Sequence, residues 1–136
     1  MSSIIISGDT SGSITLKSPD VSGTNTITLP AATGTAALTS QVIGVGQTWQ
    51  NVLPSRANNT NYTNSTGRPI MVNISVNDAG PVSSTAYIDG VAIAYNYGVS
   101  TGGYSGSCLS FIVPAGGVYK VVVGSGSGIQ YWAELR

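Results

Sequence analysis

Every aromatic ring in this 136-residue chain lies beyond residue 44. The two Trp, seven Tyr and one Phe all fall within residues 45–136. Aromatic side chains bury roughly 150–250 Å² each and dominate small cores. Residues 1–44 are therefore expected to form an arm that closes no core of its own. Residues 45–136 are expected to form a self-sufficient head.

The arm contains an internal echo. Ser13-Ile14-Thr15-Leu16-Lys17-Ser18-Pro19 returns as Thr26-Ile27-Thr28-Leu29-Pro30-Ala31-Ala32. Both copies alternate apolar and hydroxyl side chains, the period of a strand. Turn-forming runs precede both: Gly8 to Gly12, and Asp20 to Asn25. Two or three such strands are marginal alone in water. Burying Ile14, Leu16, Ile27 and Leu29 against copies from sister chains would relieve that, so these four are interface candidates.

The head reads as all-β, and no eleven-residue window carries a helical stripe. Ile70, Val72, Ile74 and Val76 alternate along one strand. Thr85 to Tyr97 reads as a hairpin about a two-residue Asp89-Gly90 turn. Strict alternation places Ala86, Ile88, Val91, Ile93 and Tyr95 on one face, with Thr85, Tyr87, Ala92 and Ala94 on the other. Cys108 to Val113 is a further strand. Val118 to Val123 is apolar on both faces apart from Lys120, as a central strand would be. In the last strand Ile129, Tyr131, Ala133 and Leu135 alternate against Gln130, Trp132, Glu134 and Arg136. With Gln47 to Val52 and Asn61 to Thr63, seven or eight strands result. A two-sheet antiparallel β-sandwich, jelly-roll-like, is the expected fold.

Composition excludes several kinds of chemistry. There is no His, one Cys (Cys108), and five basic against five acidic residues. Imidazole-based triads, thiolate zinc sites and intrachain disulfides are out of reach. Sparse, balanced charge offers no footprint for nucleic acid or an anionic membrane. No apolar run reaches the roughly 18 residues of a membrane span. Met1 to Ile6 lacks a basic start and a long apolar run, so no cleaved leader is expected. A mean hydropathy of +0.20 nevertheless shows that the chain buries something.

The acids are Asp9, Asp20, Asp78, Asp89 and Glu134. The four Asp sit beside Gly or in turn-rich sequence, where Asp mimics a backbone turn. That leaves no pair for glycoside hydrolysis, which needs two carboxyls about 5–9.5 Å apart. Neither catalysis nor a cofactor or metal is expected. The Gly124-x-Gly126-x-Gly128 run lacks the Lys-Ser/Thr of a phosphate loop. Recognition falls to aromatic faces with polar neighbours on loops. Tyr62, with Asn59 and Asn61, lies in an Asn/Thr-rich segment. Tyr97 and Tyr104 flank or lie in the glycine-rich excursion 98–106. These five are the receptor-binding candidates, with Tyr95 ranked below them as core. Tyr87, among small residues, and Trp132, on a nominally polar face, need cover. It comes from a neighbouring subunit or from the chain's own core, and both are trimer-interface candidates.

The segment from Gly8 through Leu16, and on from Pro19 to Thr35, resembles the repeated N-terminal segment of bacteriophage tail-fibre proteins. Val45-Gly46-Gln47-Thr48-Trp49-Gln50-Asn51-Val52, the Tyr62 to Ile70 run and the closing Trp132-Ala133-Glu134-Leu135-Arg136 resemble the C-terminal domain of such fibres. Together these segments touch about two-thirds of the chain, in the family's order. The long shaft that usually separates the two regions is missing. The resemblance implies a homotrimer, with an N-terminal arm that docks onto other tail or baseplate proteins of the virion. It implies an exposed head that contacts a host cell-surface receptor, polysaccharides included, without membrane insertion. A capsid decoration or head-fibre protein is the alternative. A carbohydrate-degrading spike is a third possibility and requires the acid pair that is lacking.

Overall fold

The computed structural model describes residues 3–21, 23–26, 31, 33, 41–78, 82–98 and 105–136. The chain forms two compact units, residues 1–35 and 36–136. Composition suggested a boundary at 44/45, whereas the turn at Gln41–Gly46 belongs to the second unit. All sheets are antiparallel, and no α-helix occurs among the described residues.

In the first unit, β1 (Ser3–Ser7) pairs with β2 (Ser13–Lys17) as a hairpin. Gly12 (φ +79°) lets the chain turn back, and the Gly8 amide bonds the Gly12 carbonyl at 3.0 Å. The β2 strand is the first copy of the echo. Its partner is the Ile4-Ile5-Ile6 run, which alternation alone does not mark as a strand. Ile27 and Leu29 of the second copy lie outside the described residues.

Among its described residues the second unit holds eight strands. They are β3 (Trp49–Asn51), β4 (Tyr62–Thr63), β5 (Ile70–Asp78), β6 (Val82–Ile88), β7 (Val91–Gly98), β8 (Ser105–Val113), β9 (Val118–Val123) and β10 (Ser127–Leu135). One sheet runs β3-β10-β5-β8, the other β4-β9-β6-β7. The pairings nest: β3 with β10, β4 with β9, β5 with β8, β6 with β7. The innermost hairpin turns at Asp89 (φ +49°) and Gly90 (φ +83°), the two positive angles of a type I′ turn. Between the sheets lies one core. It takes Ile70, Val72, Ile74 and Val76 from β5, Leu109, Phe111 and Val113 from β8, and Tyr119, Val121 and Val123 from β9. Trp132 of β10 is completely buried within it.

Two β-bulges reverse the faces that strict alternation predicts. In β10, Ile129 opposes Val76 and Tyr131 opposes Ser75, so Gln130 is the extra residue. One extra residue moves every later side chain to the other face. Trp132 and Glu134 therefore turn inward, and Tyr131 points out at 69% exposure. In β7, Ala92 opposes Tyr87 and Ala94 opposes Ala86, so Ile93 is extra. Ala94 then packs on the core, while Tyr95 faces solvent at 65% exposure.

The chain enters this unit through a clamp. The buried Gln47 amide donates to the Pro69 and Leu135 carbonyls (2.9 and 3.2 Å), and its oxygen accepts the Gly44 amide. Thr48 and Arg136 exchange both backbone hydrogen bonds at 3.1 Å.

Candidate functional site

Three places bring together side chains that could carry function: a buried carboxylate and the two outer faces of the head.

Glu134 is fully buried and accepts five hydrogen bonds. Arg56 grips it with a fork, Nε to Oε1 at 3.0 Å and Nη2 to Oε2 at 3.1 Å. Arg136 donates to Oε2 at 2.8 Å. The Tyr119 hydroxyl and the Trp132 indole N–H both donate to Oε1. Burial by itself would lower the Arg56 pKa; the hydrogen bond to Glu134 and the interactions with Tyr119 and the Glu134 charge together outweigh it, and the net shift is upward. Burial, and then the bond to Glu134, push the Tyr119 phenol well above its usual range. A carboxylate offers about four lone-pair sites, so Glu134 has none left for a substrate. It ties the Arg56 segment, β9 and β10 together. Its role was invisible in sequence because Arg56 and Tyr119 lie 78 and 15 positions away.

Tyr62 belongs to this structural cluster, not to a recognition loop. Its ring lies 6.0 Å from both Trp132 and Tyr119, and the Arg56 guanidinium sits 4.4 Å above it. Its hydroxyl accepts the Ala57 amide at 2.8 Å. Trp132 likewise needs no neighbouring subunit, because its own chain covers it completely. The bulge at Gln130 is the reason.

On the outer face of the β4-β9-β6-β7 sheet, register fixes which residues are neighbours. Ala92, Tyr87 and Lys120 form one row; Tyr95, Thr85 and Val122 form the next; Tyr97 and Ser83 follow. The Lys120 ammonium lies 5.3 Å from the Tyr87 ring centroid and 3.3 Å from Asn59 Oδ1. Asn59 reaches that point because its segment extends the sheet edge. Its amide bonds the Val121 carbonyl, and the Asn58 side chain exchanges two bonds with the Val123 backbone. This face thus unites the candidates Tyr97, Asn59 and Tyr87, and adds Tyr95, Lys120, Thr85 and Ser83. Asn61 is exposed ahead of β4, and Tyr104 lies outside the described residues.

The outer face of the β3-β10-β5-β8 sheet is different. Trp49, Leu135, Met71 and Ile112 are direct cross-strand neighbours, one from each strand. They make an apolar row across the whole sheet, with Trp49 and Ile112 half exposed. The next row, Asn51, Ala133, Asn73 and Ser110, is small and uncharged. No family model, curated protein or solved structure matches the chain.

Proposed function

We propose that this chain is a non-enzymatic virion protein, a short tail-fibre-like appendage that assembles as a homotrimer and presents its head to a host receptor. One observation carries the assembly part. In the β1–β2 hairpin, Ile4 faces Leu16 and Ile6 faces Ile14, and all four are more than half exposed. Covering them would contribute about 1–2 kcal/mol each. A two-stranded hairpin has no second layer to do this, and sister arms or a docking partner on the tail or baseplate would. The Trp49-Leu135-Met71-Ile112 row supplies a second surface suited to a neighbouring subunit. It replaces Trp132 in that role.

The nested strand pairs and the order 3-10-5-8 and 4-9-6-7 support a jelly-roll reading of the head. That architecture recurs in viral capsid and lectin domains. The segments that resemble tail fibres favour the tail or baseplate as its place.

Native mass spectrometry tests the trimer. The expected mass is that of three 13.8 kDa chains, and Ile6→Asp with Ile14→Asp should dissociate it. A folded monomer at micromolar concentration would overturn the assembly reading. Imaging of whole particles tests the location, and density on the capsid instead of the tail would make the protein a capsid decoration.

A further inference from the structure

We infer that the outer face of the β4-β9-β6-β7 sheet binds a carboxylate-bearing oligosaccharide along a track from Asn59 and Lys120 through Tyr87 to Tyr95 and Tyr97. This deepens the adhesin reading and rests on it.

The chemistry is set by what the register brings together. Tyr95 and Tyr97 are 65% and 53% exposed although both are large and aromatic. They are successive outward residues of β7, about 7 Å apart along the strand. Each has a hydroxyl residue directly opposite on β6: Thr85 faces Tyr95 and Ser83 faces Tyr97. Ring faces next to hydroxyl donors and acceptors suit a sugar, which has an apolar C–H face and a rim of hydroxyls.

Charge decides the class of sugar. Lys120 makes no ion pair among the described residues. Its ammonium is held instead by the Tyr87 ring and by Asn59 Oδ1, both of which leave its charge uncompensated. In the β6–β7 turn, Asp89 accepts the Val118 amide at 2.8 Å. The face is thus aromatic and hydroxylated with one fixed cation at its end. An acidic sugar places its carboxylate on Lys120 and its ring faces on the tyrosines. The track crosses three strands and two residue pairs in length, roughly 16 Å, which spans an oligosaccharide and not a single sugar.

The test uses the full chain and a panel of carboxylated oligosaccharides (polysialate, polygalacturonate and polyglucuronate fragments) with their carboxyl-reduced counterparts. Titration calorimetry should show binding of a carboxylated member, weakened by added salt. Tyr95→Ala with Tyr97→Ala should weaken it about tenfold or more. Lys120→Gln should weaken it about threefold to fivefold and remove the salt dependence. The substituted side chains are exposed or half-exposed, so circular dichroism should show an unchanged fold. Binding by no carboxylated member, or equal binding of the reduced forms, overturns the inference. So does a double Tyr variant that falls apart into monomers, because the face would then be a subunit contact. A trimer that ignores the whole panel sinks this inference alone. A monomer that binds leaves the sugar site standing and removes the assembly reading.

Discussion

At the scale of single residues, Glu134 is the most consequential side chain in the head. A buried carboxylate is tolerated only when it is paired and fully hydrogen-bonded, and here two arginines, a phenol and an indole meet that demand. Glu134→Gln removes the charge that Arg56 and Arg136 face. The expected cost is about 3 kcal/mol, at the low end for a broken buried pair because both arginines retain some exposure. Urea unfolding at pH 7 measures it. Tyr119 makes a second prediction. Its pKa in the folded chain lies above the ordinary 10.0. The stabilisation this represents is fully present below pH 10 and is lost as pH rises through the window above it. Unfolding free energy should therefore fall between pH 9.5 and 11.5 on this account. Tyr119→Phe should cost about 1.5 kcal/mol at pH 7 and flatten that part of the decline. An equal slope in both proteins would refute the assignment.

At the scale of elements, most strands were readable and two faces were not. In β5, Ile70, Val72, Ile74 and Val76 recur every second position, and the expected face is the buried one. The Asp89-Gly90 turn announced itself through residues that accept positive φ. The bulges at Gln130 and Ile93 have no such signature, since neither position is Gly or Pro. They follow from packing: only by slipping one residue can β10 bury Trp132 while keeping Ile129 on the core. Alternation therefore ranked Tyr95 as core and set Trp132 on the surface, both reversed. Asn59 and Tyr97 could be picked out as exposed and polar or aromatic. Their convergence with Lys120 depends on strand register, which the linear pattern does not contain. Deleting Gln130 tests the bulge. In a Trp49→Phe background, fluorescence reports Trp132 alone. The deletion removes only the extra residue, leaving Ile129 opposite Val76 and Tyr131 opposite Ser75, so Trp132 should stay inward and its emission should stay blue. A shift of the emission to the red would mean that the register slips somewhere other than Gln130.

At the scale of the whole molecule, the division between a ring-free arm and an aromatic head was legible from composition, because core formation needs bulk that residues 1–44 do not contain. In the first unit Ile4, Ile6, Ile14 and Leu16 are each more than half exposed. If sister chains cover them, protection should depend on concentration. Hydrogen exchange of the β1 and β2 amides should quicken on dilution below the assembly constant, while β5 and β9 stay protected. Exchange that is independent of dilution in both units would argue against that cover.

The Thr48–Arg136 bonds and the Gln47 clamp lie at one pole of the head, where β5 begins and β10 ends. Asp78 closes β5 about 27 Å away, eight residues on. Val82 follows Asp78 after only three intervening residues, a reach of at most about 15 Å, so β6 starts near that far pole. Tyr97, opposite Ser83, sits there too. The tyrosine row of this face therefore runs from beside the Asp89-Gly90 turn to the pole opposite the Gln47 clamp, so a ligand lying along it reads the head from end to end.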